Sequence, residues 1–120
     1  MLILPIKRKW FDMILSGEKK EEYREITPYY TSRLSNLFCV WTKNAKYHSE
    51  NMRCFLQSEN AKKNITREIM FRNGYSKTSP SFIAKCTLSI GTGKEEWGAE
   101  KDKQYFVLTI HEILNGNESE

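Results

Sequence analysis

Hydrophobic positions along this chain follow two periods. Ile6, Trp10, Met13 and Ile14, with Phe11 and Leu15 beside them, recur at three- and four-residue steps. That spacing predicts a short amphipathic helix over about residues 7–16, with Lys7, Arg8, Lys9 and Asp12 mostly on its wet side. Before it, Leu2 to Ile6 reads as a short buried strand, with Pro5 marking its end or an edge. Further on, Phe82, Ala84, Cys86, Leu88 and Ile90 alternate with Ile83, Lys85, Thr87 and Ser89, the clearest period of two in the chain. Phe106, Leu108 and Ile110 alternate likewise, which predicts an inward row, with Tyr105, Val107, Thr109 and His111 outward. A further strand is predicted over 65–72, with Ile69 and Phe71 inward, closed by the turn signal Asn73-Gly74. Leu37 to Trp41 is a continuous apolar run of strand length.

Punctuation between these elements is explicit. Gly17 stands where a left-handed residue would end the first helix. Thr27-Pro28 is a helix start, with threonine as cap and proline in the first turn, leading into Tyr29, Tyr30, Arg33 and Leu34. Gly91-Thr92-Gly93 breaks the long strand, and Glu95 to Gly98 forms a turn or a single helical loop. Residues 43–64 are polar, rich in Asn and Lys, with Met52, Phe55 and Leu56 at helical spacing, and read as an insertion. Residues 115–120 should fray. Short strands, two early helices and no βαβ rhythm point to an α+β fold with a barrel-like sheet.

A chain of 120 residues is enough for one core, so a single domain over 1–114 is expected. No apolar run reaches the length of a membrane span, and the first residues lack the basic lead of a signal peptide, so a cytoplasmic protein without a membrane partner is expected. Cys39, Cys54 and Cys86 are too widely spaced for a zinc site, and His48 and His111 are isolated, so neither metal nor other cofactor is called for. Net charge is +4 and unevenly spread: nine basic and three acidic residues fall in 43–85, three and seven in 86–120. A basic middle suits phosphate, although a polar insertion can be Lys-rich for solubility alone.

Candidate chemistry concentrates in Gly17-Glu18-Lys19-Lys20-Glu21-Glu22-Tyr23-Arg24, which reads G-x-K-x-x-E-x-R. After the turn, alternation over a strand at about 19–26 puts Glu22 and Arg24 on one face and Glu21, Tyr23 and Glu25 on the other. If the Glu22 face is half-buried, each charge there needs a partner. The plainer alternative is a solvated charged strand. Tyr29 and Tyr30 offer faces on which a base could stack, although such a pair is more often half core and half surface.

G-x-K-x-x-E-x-R between a short helix and a strand resembles the signature of the ASCH domains. The segments Phe71 to Tyr75 and Gly91 to Glu100, followed by Tyr105 to Leu108, resemble later blocks of bacterial and phage members. The resemblance covers residues 1–35 and 68–114. It implies a PUA-like β-barrel and the binding of RNA or a nucleotide-like molecule. Lys19 and Arg24 would meet phosphate or a base edge, with Glu22 orienting one of them. Arg72 and Asn73 would extend the patch, and Tyr75 and Trp97 would stack on an unpaired base. Gly17, Gly74 and Gly98 would be structural. Some small ASCH proteins hydrolyse the acetyl amide of N4-acetylcytidine, using the motif lysine, a threonine three residues later and a distant glutamate. Lys19 matches that pattern, but Glu22 stands at the threonine position; in an enzyme Glu22 would serve as general base and Glu100, or Glu96, as the distant acid. A third reading is a protein-interaction domain whose ion pairs only hold the barrel.

Overall fold

The computed structural model describes residues 1–38 and 65–116, with side chains through residue 114. Eight elements follow one another: β1 (Leu2–Pro5), α1 (Arg8–Leu15), β2 (Glu21–Arg24), α2 (Pro28–Phe38), β3 (Arg67–Arg72), β4 (Ser81–Thr92), a 3-10 turn (Glu95–Trp97) and β5 (Gln104–Gly116). The strands form one curled sheet in the order β1-β3-β4-β5-β2. Only β1 and β3 run parallel; the other neighbours are antiparallel. The result is an α+β half-barrel. The outer strands β1 and β2 share no ladder, but the Arg24 side chain on β2 donates to the Pro5 carbonyl on β1 at 2.8 Å.

Helix α2 starts where its cap dictates, and α1 lies where its apolar stripe does. Thr27 Oγ1 accepts from the Tyr30 amide at 3.2 Å, and Pro28 opens α2 where a missing N–H costs nothing. In α1, Phe11 and Ile14 are fully buried; Phe11 meets Phe82 edge-on at 5.1 Å, and Phe82 stacks on Phe71 at 5.3 Å. Ile69, Phe71, Phe82, Ala84, Cys86, Phe106 and Leu108 supply the sheet's side of the core. The alternating residues of β4 and the inward residues of β3 are those the period predicts.

Four readings need correction. Leu37 and Phe38 end α2 rather than starting a strand; Phe38 is buried among the core residues, and a short apolar run does not distinguish a buried helix end from a strand. The rest of that run, and the 43–64 insertion with its helix, lie outside the described residues. Tyr105 and Val107 face away from the main core yet are buried, and the segment after β4 folds over Tyr105. The Glu100 amide donates to Tyr105 Oη at 3.0 Å, and the Tyr23 ring lies 5.7 Å from that of Tyr105. Asn115 and Gly116 continue β5 opposite Ile83 and Phe82, so the strand outlasts the expected start of fraying. Gly91 and Thr92 extend β4, paired with Tyr105 and Gln104, instead of breaking it.

Candidate functional site

The site begins with the exit from α1. Ser16 caps the helix, Gly17 turns with φ +86°, and the Lys19 amide reaches back to the Met13 carbonyl at 2.9 Å. That fold-back carries the Lys19 side chain inward as β2 begins. On β2, Glu22 pairs with Leu108 and Arg24 with Phe106 of β5, so both point to the sheet's inner, core-lined face. Alternation thus does place Glu22 and Arg24 together, and the face they share is buried.

Three charges meet there in a line. Lys19 Nζ lies 3.2 Å from Glu22 Oε1, and Arg24 Nη2 lies 2.7 Å from Glu22 Oε2. Lys19 also donates to the Trp97 carbonyl at 2.7 Å, which ties the α1 exit to the 3-10 turn. The rings of Trp10 and Tyr23 flank the ammonium, at 5.0 and 4.9 Å from their centroids. The Lys19 side chain has no exposed surface. Burial holds its pKa below the ordinary lysine value, and the neighbouring Glu22 carboxylate offsets part of that shift. Arg24 adds bonds to Pro5 O and, at 3.3 Å, to Tyr30 Oη.

A recess of about 540 Å³ opens between the ends of β1 and β2. Its lining comes from three segments: Pro5, Ile6, Lys7 and Trp10 from β1 and α1, Glu22, Tyr23 and Arg24 from β2, and Asn73, Gly74 and Tyr75 after β3. Tyr75 is 90% exposed, and Asn73 Nδ2 holds the Ile6 carbonyl at 2.9 Å. Tyr23 is fixed by donating to Glu21 Oε1 and accepting from the Lys94 amide. Its hydroxyl pKa is raised, chiefly by burial. The recess therefore offers aromatic surface, an amide and the Lys7 cation, beside Glu22 and Arg24, which already engage each other.

Of the residues singled out in the sequence, Glu22, Arg24, Asn73, Gly74 and Tyr75 line this recess. Lys19 lies behind it, shut in by its partners. Arg72 is turned toward Met70 Sδ at 3.6 Å and is not part of the lining. Trp97 is buried, so it contributes a backbone carbonyl and no stacking face. Glu100 is paired at the surface with Lys103 at 3.1 Å, and Glu96 is exposed; neither joins the recess lining. Gly17, Gly74 and Gly98 all have positive φ. At Gly98 a β-carbon would also come within 3.0 Å of the Trp10 ring, so the ring packs directly on the backbone there.

Sequence reasoning missed Lys7, Trp10 and Tyr23 as recess residues. Trp10 was assigned to the core by its period, and it does pack there in part. The available signal was an aromatic residue directly after Lys7-Arg8-Lys9, ahead of the motif. Among the described residues no group of three or more His, Cys, Asp or Glu is arranged to hold a metal ion, and no helix is long and apolar enough to cross a membrane. Comparison with known protein families, curated proteins and solved structures finds no match.

Proposed function

We propose that this protein is an ASCH-type, PUA-like domain that binds a nucleotide, or a base of single-stranded RNA, in the recess between β1 and β2. The observation that carries the reading is the recess itself: the exposed Tyr75 ring and the exposed Lys7 cation stand at a lining that also includes Trp10, Tyr23 and Arg24. Planar anions suit that combination, since an exposed ring accepts any base face and an exposed ammonium meets phosphate. Glu22 acts indirectly, as the anchor that aims Arg24.

No observation favours the hydrolase alternative. Glu22 would have to release Lys19 or Arg24 to activate water, and Glu100 is paired elsewhere. Incubation with N4-acetylcytidine should release no cytidine.

Titration with ribonucleotides and short single-stranded RNA at rising salt, followed by tryptophan fluorescence, tests the reading. Lys7→Ala and Tyr75→Ala alter exposed side chains and should leave melting unchanged. Tyr75→Ala should weaken binding by about 1–3 kcal/mol through lost stacking. Lys7→Ala should flatten the salt dependence by removing about one phosphate contact. Affinity unchanged in both variants would remove the proposal.

A further inference from the structure

One row of side chains leads out of the recess. Arg24 lines the recess, and its guanidinium carbon lies 5.8 Å from the ring centroid of Tyr30 on α2. Tyr30 meets Tyr29 edge-on, with centroids 5.0 Å apart and planes at 87°. Arg33 then lies over the Tyr29 ring at 3.5 Å and donates to the Tyr29 carbonyl at 3.3 Å. Cation, ring, ring, cation thus form one continuous series from the recess to the outer surface of α2.

The inner half of this series is structural: Tyr30 is half-buried and bonded to Arg24. The outer half is different. Tyr29 is 55% exposed, and Arg33 is exposed. Helix α2 carries no Asp or Glu, and no carboxylate is paired with Arg33 among the described residues. An exposed ring with a guanidinium stacked over it, and no carboxylate paired with that guanidinium among the described residues, is suited to a nucleobase and its phosphate.

We propose that Tyr29 and Arg33 form a second nucleotide platform, so that the partner is single-stranded RNA running from the recess onto α2 rather than a free nucleotide. This rests on the recess binding a nucleotide. Tyr29 stacks on the base next to the one in the recess, and Arg33 meets its phosphate.

The test compares each ribonucleoside monophosphate with the matching six-nucleotide homopolymer, by calorimetry, on wild type, Tyr29→Ala, Arg33→Ala and Tyr29→Phe. Wild type should bind the hexamers about tenfold or more tighter than the monophosphates. Tyr29→Ala should lose about tenfold in hexamer affinity through the missing stack, with monophosphate affinity and melting temperature unchanged. Tyr29→Phe should retain hexamer affinity because it keeps the ring, and Arg33→Ala should weaken hexamer binding and lessen its salt dependence. Monophosphate binding with no gain for hexamers overturns the platform and leaves the recess reading standing. Equal loss of both ligands in Tyr29→Ala also overturns it, since Tyr29 would then act through Tyr30 and Arg24. Failure of every ligand to bind wild type overturns both proposals.

Discussion

Two chains of three charges run through this molecule with nearly the same spacing. One is Lys19–Glu22–Arg24, at 3.2 and 2.7 Å. The other is Glu25–Lys103–Glu100, at 2.9 and 3.1 Å. The first is shut between two rings, the sheet and the 3-10 turn; the second stands in water. Distance alone would rank them as equals. Their surroundings do not: water screens the surface chain, whereas each buried charge has given up its hydration and depends on its partner. Both Lys19 and Lys103 are moved from the ordinary lysine pKa, in opposite directions. Burial lowers Lys19, while hydrogen bonds to Glu25 and Glu100 raise Lys103. The lesson is that an ion pair's weight lies in what surrounds it.

The sharpest way to break this comparison is to remove the middle charge from each chain. Glu22→Gln leaves two cations facing each other out of water and should cost about 3–5 kcal/mol in urea unfolding. A loss below about 1 kcal/mol would mean that the buried chain is no more demanding than an exposed ion pair.

Removing Lys19 should cost less, because Glu22 keeps Arg24. Lys19→Met leaves the Trp97 carbonyl without its donor, a loss of about 1–3 kcal/mol. The pH dependence separates the charge from the packing. A lysine whose folded pKa is lowered binds fewer protons folded than unfolded, between that lowered value and its ordinary 10.5. Its contribution to stability therefore rises with pH across that window. Tyr23 and Cys86, the latter pushed up to about 12, have raised folded values and act in the opposite sense at alkaline pH. The difference between wild type and Lys19→Met isolates the lysine, and it should shift in favour of wild type as pH rises toward 10.5. A pH-independent difference would show that burial does not depress this ammonium.

Gly98→Ala probes the support of the buried chain rather than its charges. A left-handed φ of +101° and the Trp10 ring both oppose a β-carbon, so a loss of about 1–2 kcal/mol is expected. Weakened binding should accompany it, since Trp10 also lines the recess. The smallest effect belongs to the surface chain: Lys103→Ala should leave the melting temperature unchanged in moderate salt. A marked drop would erase the contrast between the two chains.

Legibility in the sequence followed the same divide. The strand of 82–90 and the first helix were readable because each presents one face to a single core, which imposes a clean period. Thr27 and Pro28 marked the α2 start because capping is local chemistry. The pairing of Glu22 with Arg24 was also readable, since two residues apart on a strand means the same face. The burial of Tyr105 was not, because it depends on a return of the chain between β4 and β5 that leaves no periodic trace. Lys19 failed for a related reason. In Glu18-Lys19-Lys20-Glu21-Glu22 every residue looks solvated, and only the fold-back to Met13 separates the lysine that goes inward from its neighbour, which stays exposed. That Trp97 and Glu100 stand apart from the recess was not legible either, because composition shows which groups are present, not which way a 3-10 turn aims them.

Pro5 has one further effect. Residues in an extended strand present N–H and C=O to the same side, and the Pro5 carbonyl faces Arg24, so its missing N–H would have faced β2 as well. A strand arriving from β2 would find an acceptor there and no donor. The seam of the half-barrel cannot zip shut at that station, and a single guanidinium fastens it like a clasp. The gap that the imino acid keeps unzipped is where the recess lies.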